Sequence, residues 1–301
     1  MKIIGVIILN YNTFKDTISL VKSIKHQKSQ YLFKIVIVDN CSIDRSLEEL
    51  KKQYLMDKNV DIIKTKKNNG YGSGNNYGID YLTNKYNPDY LMICNPDIKI
   101  DIQIIPEIIE TFNIDRMIAA VSIQMIDENH KKQLSAWKLP TLLDDIILSL
   151  FILKKIFKKR IKYSNQTKSQ YVEVLQGAFF IVKPKPIKEV GGFDEKIFLY
   201  GEERILGFKL KKAGYKLFYI PKYTFIHSIG ISIEKKFPTK FSKFAILQKS
   251  RRYYHANYLK QHRIKLIIFD FCTFLGKIEK HLYDLVQSII MFFRKYNAKK
   301  V

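Results

Sequence analysis

Short apolar runs rich in β-branched residues alternate with longer amphipathic or polar stretches over the first hundred residues. The four runs cover residues 3–9, 33–38, 60–65 and 90–94. Such alternation is typical of βαβ units, in which a helix connects neighbouring parallel strands. The sequence therefore predicts an α/β fold with a mostly parallel sheet, and the first run is expected to be a buried strand.

Helix boundaries are also marked in the sequence. Thr13 with Asp16, and Ser46 with Glu49, have the spacing of a capping box, in which side chains satisfy the first N–H groups of a helix. A further helix is expected over residues 202–213, closed by Gly214. These signals place a helix after each of the first two strands.

The alternation breaks at residues 125–171, where an apolar stretch over 139–157 precedes a basic run over 158–162. Strand-like and helix-like patterns resume at 172, and residues 237–296 are helical in pattern, basic and aromatic. We therefore expect a domain of residues 1–236, made of halves 1–124 and 125–236 with an insertion at 125–171. Residues 237–301 are expected to form a basic amphipathic helical extension.

Polar residues follow each of the four runs. They are residues 10–12, 39–40, 68–72 and 95–97, all rich in Asn, Asp or Gly. Each group alone could form a turn, because these residue types favour turns through local hydrogen bonds. In a parallel sheet, however, ligands bind at the carboxyl ends of the strands. Four such groups together predict one binding cleft.

The chemistry at two of these strand ends can be narrowed. The glycine-rich residues 70–74 follow the third run, whereas a dinucleotide-binding loop follows the first strand. The position of these glycines therefore does not indicate dinucleotide binding. The same residues could still cradle a sugar or phosphate. Asp97 lies where a carboxylate could hold a divalent cation against a diphosphate. A single Asp is a weak metal signal, so a second ligand and a base are required.

Charge and composition limit the possible partners. The chain has 301 residues, with 52 Lys and Arg against 28 Asp and Glu, a formal charge of +24. Such a surface attracts nucleotides, phospholipid headgroups or nucleic acid, and charge alone does not choose among them. Cys41, Cys94 and Cys272 are too widely spaced for a disulfide framework or a zinc ribbon. No apolar stretch reaches the roughly 20 residues of a membrane span.

The strand-end residues belong to a longer series of motifs over residues 2–233. Taken in order, the series resembles family 2 glycosyltransferases of the GT-A fold, especially the rhamnosyltransferase-like enzymes of bacterial surface polysaccharide synthesis. The resemblance implies a Rossmann-like mixed, mostly parallel sheet flanked by helices. The matching residues are Ile8 to Asn12; Asp39, Asn40, Ser42 and Asp44; Asn69 to Gly72 with Asn75, Asn76 and Gly78; Asn95 to Asp97; Gln176 to Phe179; Gly191 to Glu195; Phe198 to Glu203; and His227, Gly230 and Ser232.

The resemblance implies a UDP- or dTDP-sugar donor, with dTDP-rhamnose one candidate, and Mn²⁺ or Mg²⁺ as cofactor. Asp39 would recognise the nucleobase, Tyr11 would pack near it, and Asp97 would bind the metal. His227 would supply a further contact to the metal or the diphosphate. Asn95 replaces the first Asp of the family's metal-binding element. The donor-binding set implied by the family is Asn10, Tyr11, Asp39, Asn69, Gly70, Asn76, Asn95 and Asp97, and the acceptor-binding set is Gln176, Gly177 and Asp194.

The family's acidic pair falls on Glu202 and Glu203, and Glu203 occupies the position of the catalytic base. A carboxylate there takes the proton of an acceptor hydroxyl during an inverting single displacement. Two departures from the family pattern are Ile205, where an Asp is common, and Lys209, where an Arg is common. A structural interpretation of the pair remains, because acidic residues at a helix start favour the helix dipole.

Apolar and basic residues interleave over 148–160 and 269–294, as in segments that bind anionic lipid. We therefore expect a cytoplasmic enzyme, peripheral on the inner face of the cell membrane, with a glycan or lipid-linked acceptor. A nucleic-acid-binding protein would also explain the charge and the tyrosines, but not the strand-end carboxylates. A third hypothesis, for which Ile205 is the best support, is a catalytically inactive partner subunit with the same fold.

Overall fold

The computed structural model describes residues 1–157, 167–228 and 240–298. The chain divides into two compact units. The first comprises Met1–Leu139 with Tyr163–Thr239, and the second comprises Pro140–Lys162 with Lys240–Val301. The apolar segment after residue 139 thus belongs with the C-terminal helices, while the sequence-based boundaries at 125, 171 and 237 stay predictions.

The first unit alternates strands and helices, as the hydrophobic pattern predicts. The four apolar runs of the sequence form its first four strands with end shifts of at most one residue. Its strands are β1 (Ile3–Asn10), β2 (Leu32–Asp39), β3 (Val60–Lys64), β4 (Tyr90–Cys94), β5 (Ile98–Lys99), β6 (Ile118–Ile126), β7 (Ala136–Trp137), β8 (Gln170–Val172), β9 (Val174–Leu175), β10 (Phe179–Val182) and β11 (Lys216–His227); its helices are α1 (Phe14–His26), α2 (Ser46–Tyr54), α3 (Tyr71–Tyr86), α4 (Ile105–Glu110), α7 (Pro184–Glu189) and α8 (Glu202–Lys212).

Within the described residues, nine strands form one mixed sheet in the order β3-β2-β1-β4-β10-β6-β11-β5, with β8 paired to β11. The strands β1, β2, β3 and β4 run parallel, whereas β10 is antiparallel to both β4 and β6. Parallel pairing resumes between β6 and β11. Two short strands, β7 and β9, pair separately. The expected mixed, mostly parallel sheet is confirmed.

The core lies on both faces of this sheet because successive strand residues point to opposite sides. In β1, Ile4, Val6 and Ile8 join the cluster that includes α1, α2 and α4 residues. Ile7 of the same strand joins the opposite cluster with Ile79 of α3. A strand buried on both faces explains why the first run reads as continuously apolar.

Both predicted capping boxes are wrong. Thr13 is the N-cap of α1, but its hydroxyl donates to Asn10 Oδ1 at 3.2 Å and does not cap the helix. Ser46 is the first residue of α2, and Arg45 is the N-cap. The Thr13 hydroxyl thus points to an acceptor in the strand-end turn and not to the first N–H groups of α1.

The second unit is helical. Its described elements are α5 (Leu142–Ser149), α6 (Phe151–Ile156), α9 (Lys240–Asn257) and α10 (Arg263–Ala298). A complete capping box does form here, between Thr141 and Asp144 at the start of α5. His255 of α9 and Asp145 of α5, both fully buried, lie 2.8 Å apart (Nε2 to Oδ2) and connect the two helices. Among the helices in the described ranges, none is long and apolar enough to cross a membrane.

Candidate active site

A cleft opens at the carboxyl ends of β1 and β4. The parallel registers align Asn10 with Asp39 and Ile8 with Cys94, so these strands end at one edge. The antiparallel β10 begins beside the end of β4 and brings the turn before it to the same edge. The cleft has a volume of about 220 Å³. Its lining comprises Leu9, Tyr11, Thr13, Asn40, Asn68, Gly70, Tyr71, Asn95, Pro96, Asp97, Gln176, Gly177, Ala178, Phe198, Leu199, Tyr200, Glu202, Glu203 and His227.

Asp97 and His227 form a close pair in this cleft. The short antiparallel pairing of β5 with β11 sets His227 opposite Ile98, and the Ser228 N–H donates to the Asp97 carbonyl at 3.0 Å. His227 Nε2 lies 3.2 Å from Asp97 Oδ1 and 3.5 Å from Asn95 Nδ2, with both members of the pair about nine-tenths buried. His227 Nδ1 is buried without a hydrogen-bond partner within the described part of the chain. The pair thus offers a carboxylate and an imidazole.

Asp97 and His227 are a pair of potential metal ligands in the cleft. Over residues 1–157, 167–228 and 240–298, no group of three or more His, Cys, Asp or Glu side chains could hold a metal ion by itself. Catalytic metal sites commonly keep positions open for water or substrate, and Mg²⁺ is often held by one or two carboxylates plus substrate phosphates. Two protein ligands therefore suit an ion that is also bound by a phosphorylated ligand.

The second reactive group is the acidic pair at the start of α8. Tyr200 and Gly201 precede it with φ of 68° and 99°, and a positive φ is uncommon for an aromatic residue. This turn places both Glu202 and Glu203 in the cleft lining. Glu202 is only 2% exposed, and its Oε1 has no hydrogen-bond partner among the described residues. Glu203 Oε1 accepts a hydrogen bond from the Gly177 N–H at 3.3 Å.

Burial changes the acidity of this pair. It raises the pKa of the Glu202 carboxyl well above its usual range, and the neighbouring Glu203 charge adds to the shift. Burial also raises the pKa of Glu203, while backbone N–H groups, including that of Gly177, oppose the shift. A carboxylate with a raised pKa is a stronger proton acceptor when it is ionised. Glu203 combines this property with a fixed position.

Tyr71, a residue to which the sequence assigned no role, fixes the turn against which Glu203 rests. Its hydroxyl donates to the Gly177 carbonyl at 2.5 Å, and its ring packs edge-on against Phe193 at 5.6 Å. Both backbone polar groups of Gly177 are thus bonded, its oxygen to Tyr71 and its N–H to Glu203. Burial, with the charges of Glu203 and Glu202, raises the pKa of Tyr71 well above its ordinary value. Tyr71 therefore stays a hydrogen-bond donor at neutral pH.

Asn10 and Asp39 lie behind the cleft and are not part of its lining. Both are fully buried, and Asn10 Nδ2 donates to Asp39 Oδ2 at 3.0 Å. The Ser42 N–H donates to Asp39 Oδ1 at 3.0 Å, while Thr13 and Thr17 donate to Asn10 Oδ1. These bonds tie the ends of β1 and β2 to the turns that follow them.

Three further residues of the family-based set also lie outside the lining. Asn69 is exposed, and Asn68 lines the cleft instead, where its Oδ1 accepts from Asn40 Nδ2 and from the Gly70 N–H. Asn76 binds both the N–H and the carbonyl of Phe193. Asp194 accepts from the Lys196 N–H. Gly230, Ser232 and the basic run 158–162 are outside the described residues.

The glycines at 70–78 bring α3 close to its neighbours. Gly70 has φ of 102°, and a Cβ there would lie 2.1 Å from the Phe198 carbonyl oxygen. A Cβ at Gly74 or Gly78 would lie 2.3 Å from Leu9 or 2.7 Å from Ile7, respectively. The glycine pattern therefore reflects close packing of α3 on the sheet, with Gly70 itself in the cleft wall.

Sequence reasoning also assigned no role in the site to five lining residues, which are Leu9, Thr13, Phe198, Leu199 and Tyr200. Phe198, Leu199 and Tyr200 belong to the motif that ends in the acidic pair, so their proximity to it was a usable signal. Leu9 and Thr13 flank the first strand-end motif. The walls of a cleft are formed by the residues that neighbour its polar groups. The rule that ligands bind at strand ends does not by itself identify those neighbours.

Comparison with known proteins identifies the class. The model of glycosyl transferase family 2 matches residues 5–190, and the chain belongs to this family. The chain is 32% identical over 165 residues to the rhamnosyltransferase WbbL of Escherichia coli (strain K12), over 52% of this chain and 60% of that protein. It is 25% identical over 204 residues to the N-acetylglucosaminyl-diphospho-decaprenol L-rhamnosyltransferase of Mycobacterium tuberculosis (strain ATCC 25618 / H37Rv), over 64% and 66% of the two chains. The chain thus spans slightly less than two thirds of each relative.

Solved structures support the fold. A mannosyltransferase from Pyrobaculum calidifontis, PcManGT, in complex with GDP-Man and Mn²⁺ has a TM-score of 0.57 at 12% identity, covering 90% of this chain and 69% of that chain. TarS 1-349 of S. aureus has a TM-score of 0.52 at 17% identity, covering 87% and 74%. The expected GT-A architecture is confirmed.

Proposed function

We propose that this protein transfers a sugar from a nucleotide-sugar donor to a glycan or lipid-linked acceptor, with inversion at the anomeric carbon. The observation that carries the proposal is one cleft lined by both the Asp97–His227 pair and the Glu203 carboxylate. Membership in glycosyl transferase family 2 supports the reaction class. The two rhamnosyltransferase relatives favour a deoxyhexose donor and synthesis of a surface glycan.

The site fits a divalent cation. GT-A proteins related in fold were solved with Mn²⁺, among them PcManGT and GalNAc-T7 with UDP and GalNAc. Asp97 would supply an oxygen ligand and His227 a nitrogen ligand, a set that Mn²⁺ or Mg²⁺ accepts when substrate oxygens complete it. Asn95, whose amide lies beside His227, would orient the pair or the diphosphate. A bound cation would offset the negative charge that develops on the departing nucleoside diphosphate.

Glu203 is the proposed general base. Its carboxylate takes the proton of the acceptor hydroxyl while that oxygen forms a bond to the anomeric carbon. The bond from the anomeric carbon to the diphosphate oxygen breaks in the same displacement, and its electron pair leaves with the nucleoside diphosphate. The backbone N–H of Gly177 keeps the carboxylate in place, and Gln176 and Gly177 lie where an acceptor would enter its reach.

The donor contacts are proposed in two groups. Tyr11, Gly70, Asn95 and Asp97 line the cleft and would contact the donor directly. Asp39 is fully buried, with the Asn10 side chain bonded to one oxygen and the Ser42 N–H to the other, so nucleobase recognition by Asp39 requires the residues that cover it to move. Direct roles for Asn69 and Asn76 as donor ligands, and for Asp194 as an acceptor ligand, would require the surrounding turns to move.

The test compares Glu203→Gln with Asp97→Asn. Glu203→Gln preserves size and removes the proton acceptor, so transfer should fall by about two to four orders of magnitude while donor affinity is retained. Asp97→Asn removes a ligand charge, so it should weaken metal-dependent donor binding and transfer together. Calorimetric titration with UDP- and dTDP-sugars, with and without Mn²⁺, measures affinity. Sugar transfer to a lipid-extractable acceptor measures turnover.

Glu202→Gln is the matched control for the acidic pair. Loss of transfer in Glu202→Gln, with near-normal transfer in Glu203→Gln, would move the base by one residue. Equal weak binding of all nucleotides with no metal effect would refute the donor and metal assignments. Donor binding without turnover by the wild-type protein would instead favour an inactive partner subunit.

A further inference from the structure

Helix α10 exposes a continuous apolar stripe. Exposed large apolar side chains recur along it at alternating spacings of four and three residues, which places them on one side of a helix. Ile264 is 61% exposed and Phe271 60%. We call this set the α10 stripe; it consists of Ile264, Ile268, Phe271, Leu275, Ile278, Leu282 and Leu285.

The opposite side of α10 is the one that packs within its own unit. Leu266, Phe269 and Thr273 are buried on that side. Gly276 continues the same row, and a Cβ there would lie 2.0 Å from the Ser149 carbonyl oxygen at the end of α5. Over the side chains that the structure describes, α10 is therefore apolar on two sides, and its buried side chains lie on one of them.

Helix α6 extends this exposed apolar surface. The Phe151 N–H donates to Glu279 of α10 at 2.5 Å, and the Phe151 ring packs against Tyr283 with centroids 4.7 Å apart. These contacts fix α6 beside α10. Ile152 and Ile156 of α6 are more than half exposed. Two helices of the same unit thus present large aliphatic side chains to solvent.

The positive charge of the protein is concentrated in this unit. Residues 140–162 and 240–301 contain 20 Lys and Arg against 5 Asp and Glu, which gives +15 of the chain's +24. A basic helical unit with an exposed apolar stripe suits the boundary between anionic headgroups and acyl chains. A second copy of the chain is disfavoured as the occupant because it would bring +15 against +15.

We propose that the α10 stripe, with Ile152 and Ile156 of α6, docks this unit onto the surface of an anionic phospholipid bilayer. The apolar side chains enter the headgroup boundary, and exposed Lys and Arg side chains of the same unit contact the lipid phosphates. The inference does not rest on sugar transfer, since lipid vesicles without donor or acceptor are sufficient to test it.

The experiment is co-sedimentation with vesicles of phosphatidylcholine alone or with about 30% phosphatidylglycerol. The full chain should bind only the anionic vesicles, and about 0.5 M NaCl should release most of it because salt screens exposed charges. The double variant Ile268→Asp with Phe271→Asp should bind at least about tenfold more weakly. Leu55→Asp with Met56→Asp is the matched control, because it changes net charge equally at exposed apolar positions of the other unit, and it should bind nearly as wild type does.

Circular dichroism and thermal unfolding must show that each variant is folded. If the double Asp variant unfolds, the milder double variant Ile264→Ser with Ile278→Ser replaces it in the co-sedimentation experiment. Equal binding to neutral and anionic vesicles, or equal loss in the control variant, would overturn the proposal. So would a wild-type dimer that does not bind vesicles and that the stripe variant converts to monomers.

Discussion

The contact between Gly177 and Glu203 allows the position of the proposed base to be tested without changing the base itself. In Gly177→Ala, the added Cβ would lie 2.8 Å from Glu203 Oε1 and 3.1 Å from its Cγ, whereas ordinary contacts begin near 3.4 Å. The backbone at 177 has little freedom to retreat, because the Tyr71 hydroxyl holds its carbonyl. The Glu203 side chain must therefore move.

The size of the effect follows from this displacement. Relief of the contact requires the carboxylate to shift by at least about half an ångström, and a misplacement of about 1 Å can lower a rate about a hundredfold. We expect kcat to fall by about ten- to a hundredfold. Stability should change by less than about 1 kcal/mol, because the end of a flexible side chain absorbs the strain. Donor affinity should be unchanged.

Gly78→Ala is the control variant, for which we expect a loss of stability and no change in kcat. Its Cβ would lie 2.7 Å from Ile7 Cγ2 and 3.0 Å from Val38 Cγ2, inside the core and away from the cleft. Overpacking there should cost about 1–3 kcal/mol of stability while the folded fraction keeps its kcat. Urea unfolding and steady-state transfer assays separate the two outcomes. A wild-type kcat in Gly177→Ala would refute a role for the contact between Gly177 and Glu203 in positioning the base. Unfolding of Gly177→Ala would show that the backbone moves before the Glu203 side chain does.

Two further predictions concern stability. Burial raises the pKa of Glu202 in the folded protein above its value in the unfolded chain. At a pH between these two values the folded protein binds more protons than the unfolded chain, so the free energy of unfolding falls as pH rises through this range. Glu202→Gln has no carboxyl to ionise, so its free energy of unfolding in urea, relative to that of the wild type, should increase as pH rises above about 4. A difference between the two proteins that does not change with pH would contradict this prediction. Gly70→Ala should destabilise more than Gly191→Ala, for which about 1–2 kcal/mol is expected. Both glycines have positive φ, but only a Cβ at Gly70 meets a backbone oxygen, that of Phe198; equal losses would refute that reasoning.

The sheet was predictable because its signal is local. Continuous apolar runs define β1 to β4, and the position of Asn95 and Asp97 after β4 follows directly from the strand-end rule. The pairing of His227 with Asp97 required the family resemblance, because β5 is only two residues long and joins β11 across more than a hundred residues. Spacing along the chain does not encode such a contact.

Hydrogen-bond partners were the part that the sequence predicted poorly. The pattern around Thr13 fits a capping box, yet the Asn10 side chain takes that hydroxyl. Asn68 and Asn69 are chemically identical, and only the turn geometry turns the first into the cleft. In both cases the hydrogen-bond partner depends on the direction in which a side chain points within a turn. Residue type alone does not determine that direction.

The two departures from the family pattern bear on the hypothesis of an inactive partner. Ile205 is fully buried and is not in the cleft lining, so an Asp there would need a buried partner of its own. The Lys209 ammonium donates to the carbonyl oxygens of Gly192 at 2.6 Å and Gly191 at 3.3 Å, so it holds the turn to which Asn76 also binds. Both substitutions therefore act behind the cleft and leave the groups proposed for transfer unchanged. Because neither alters Asp97, His227 or Glu203, they do not argue against catalysis by this chain.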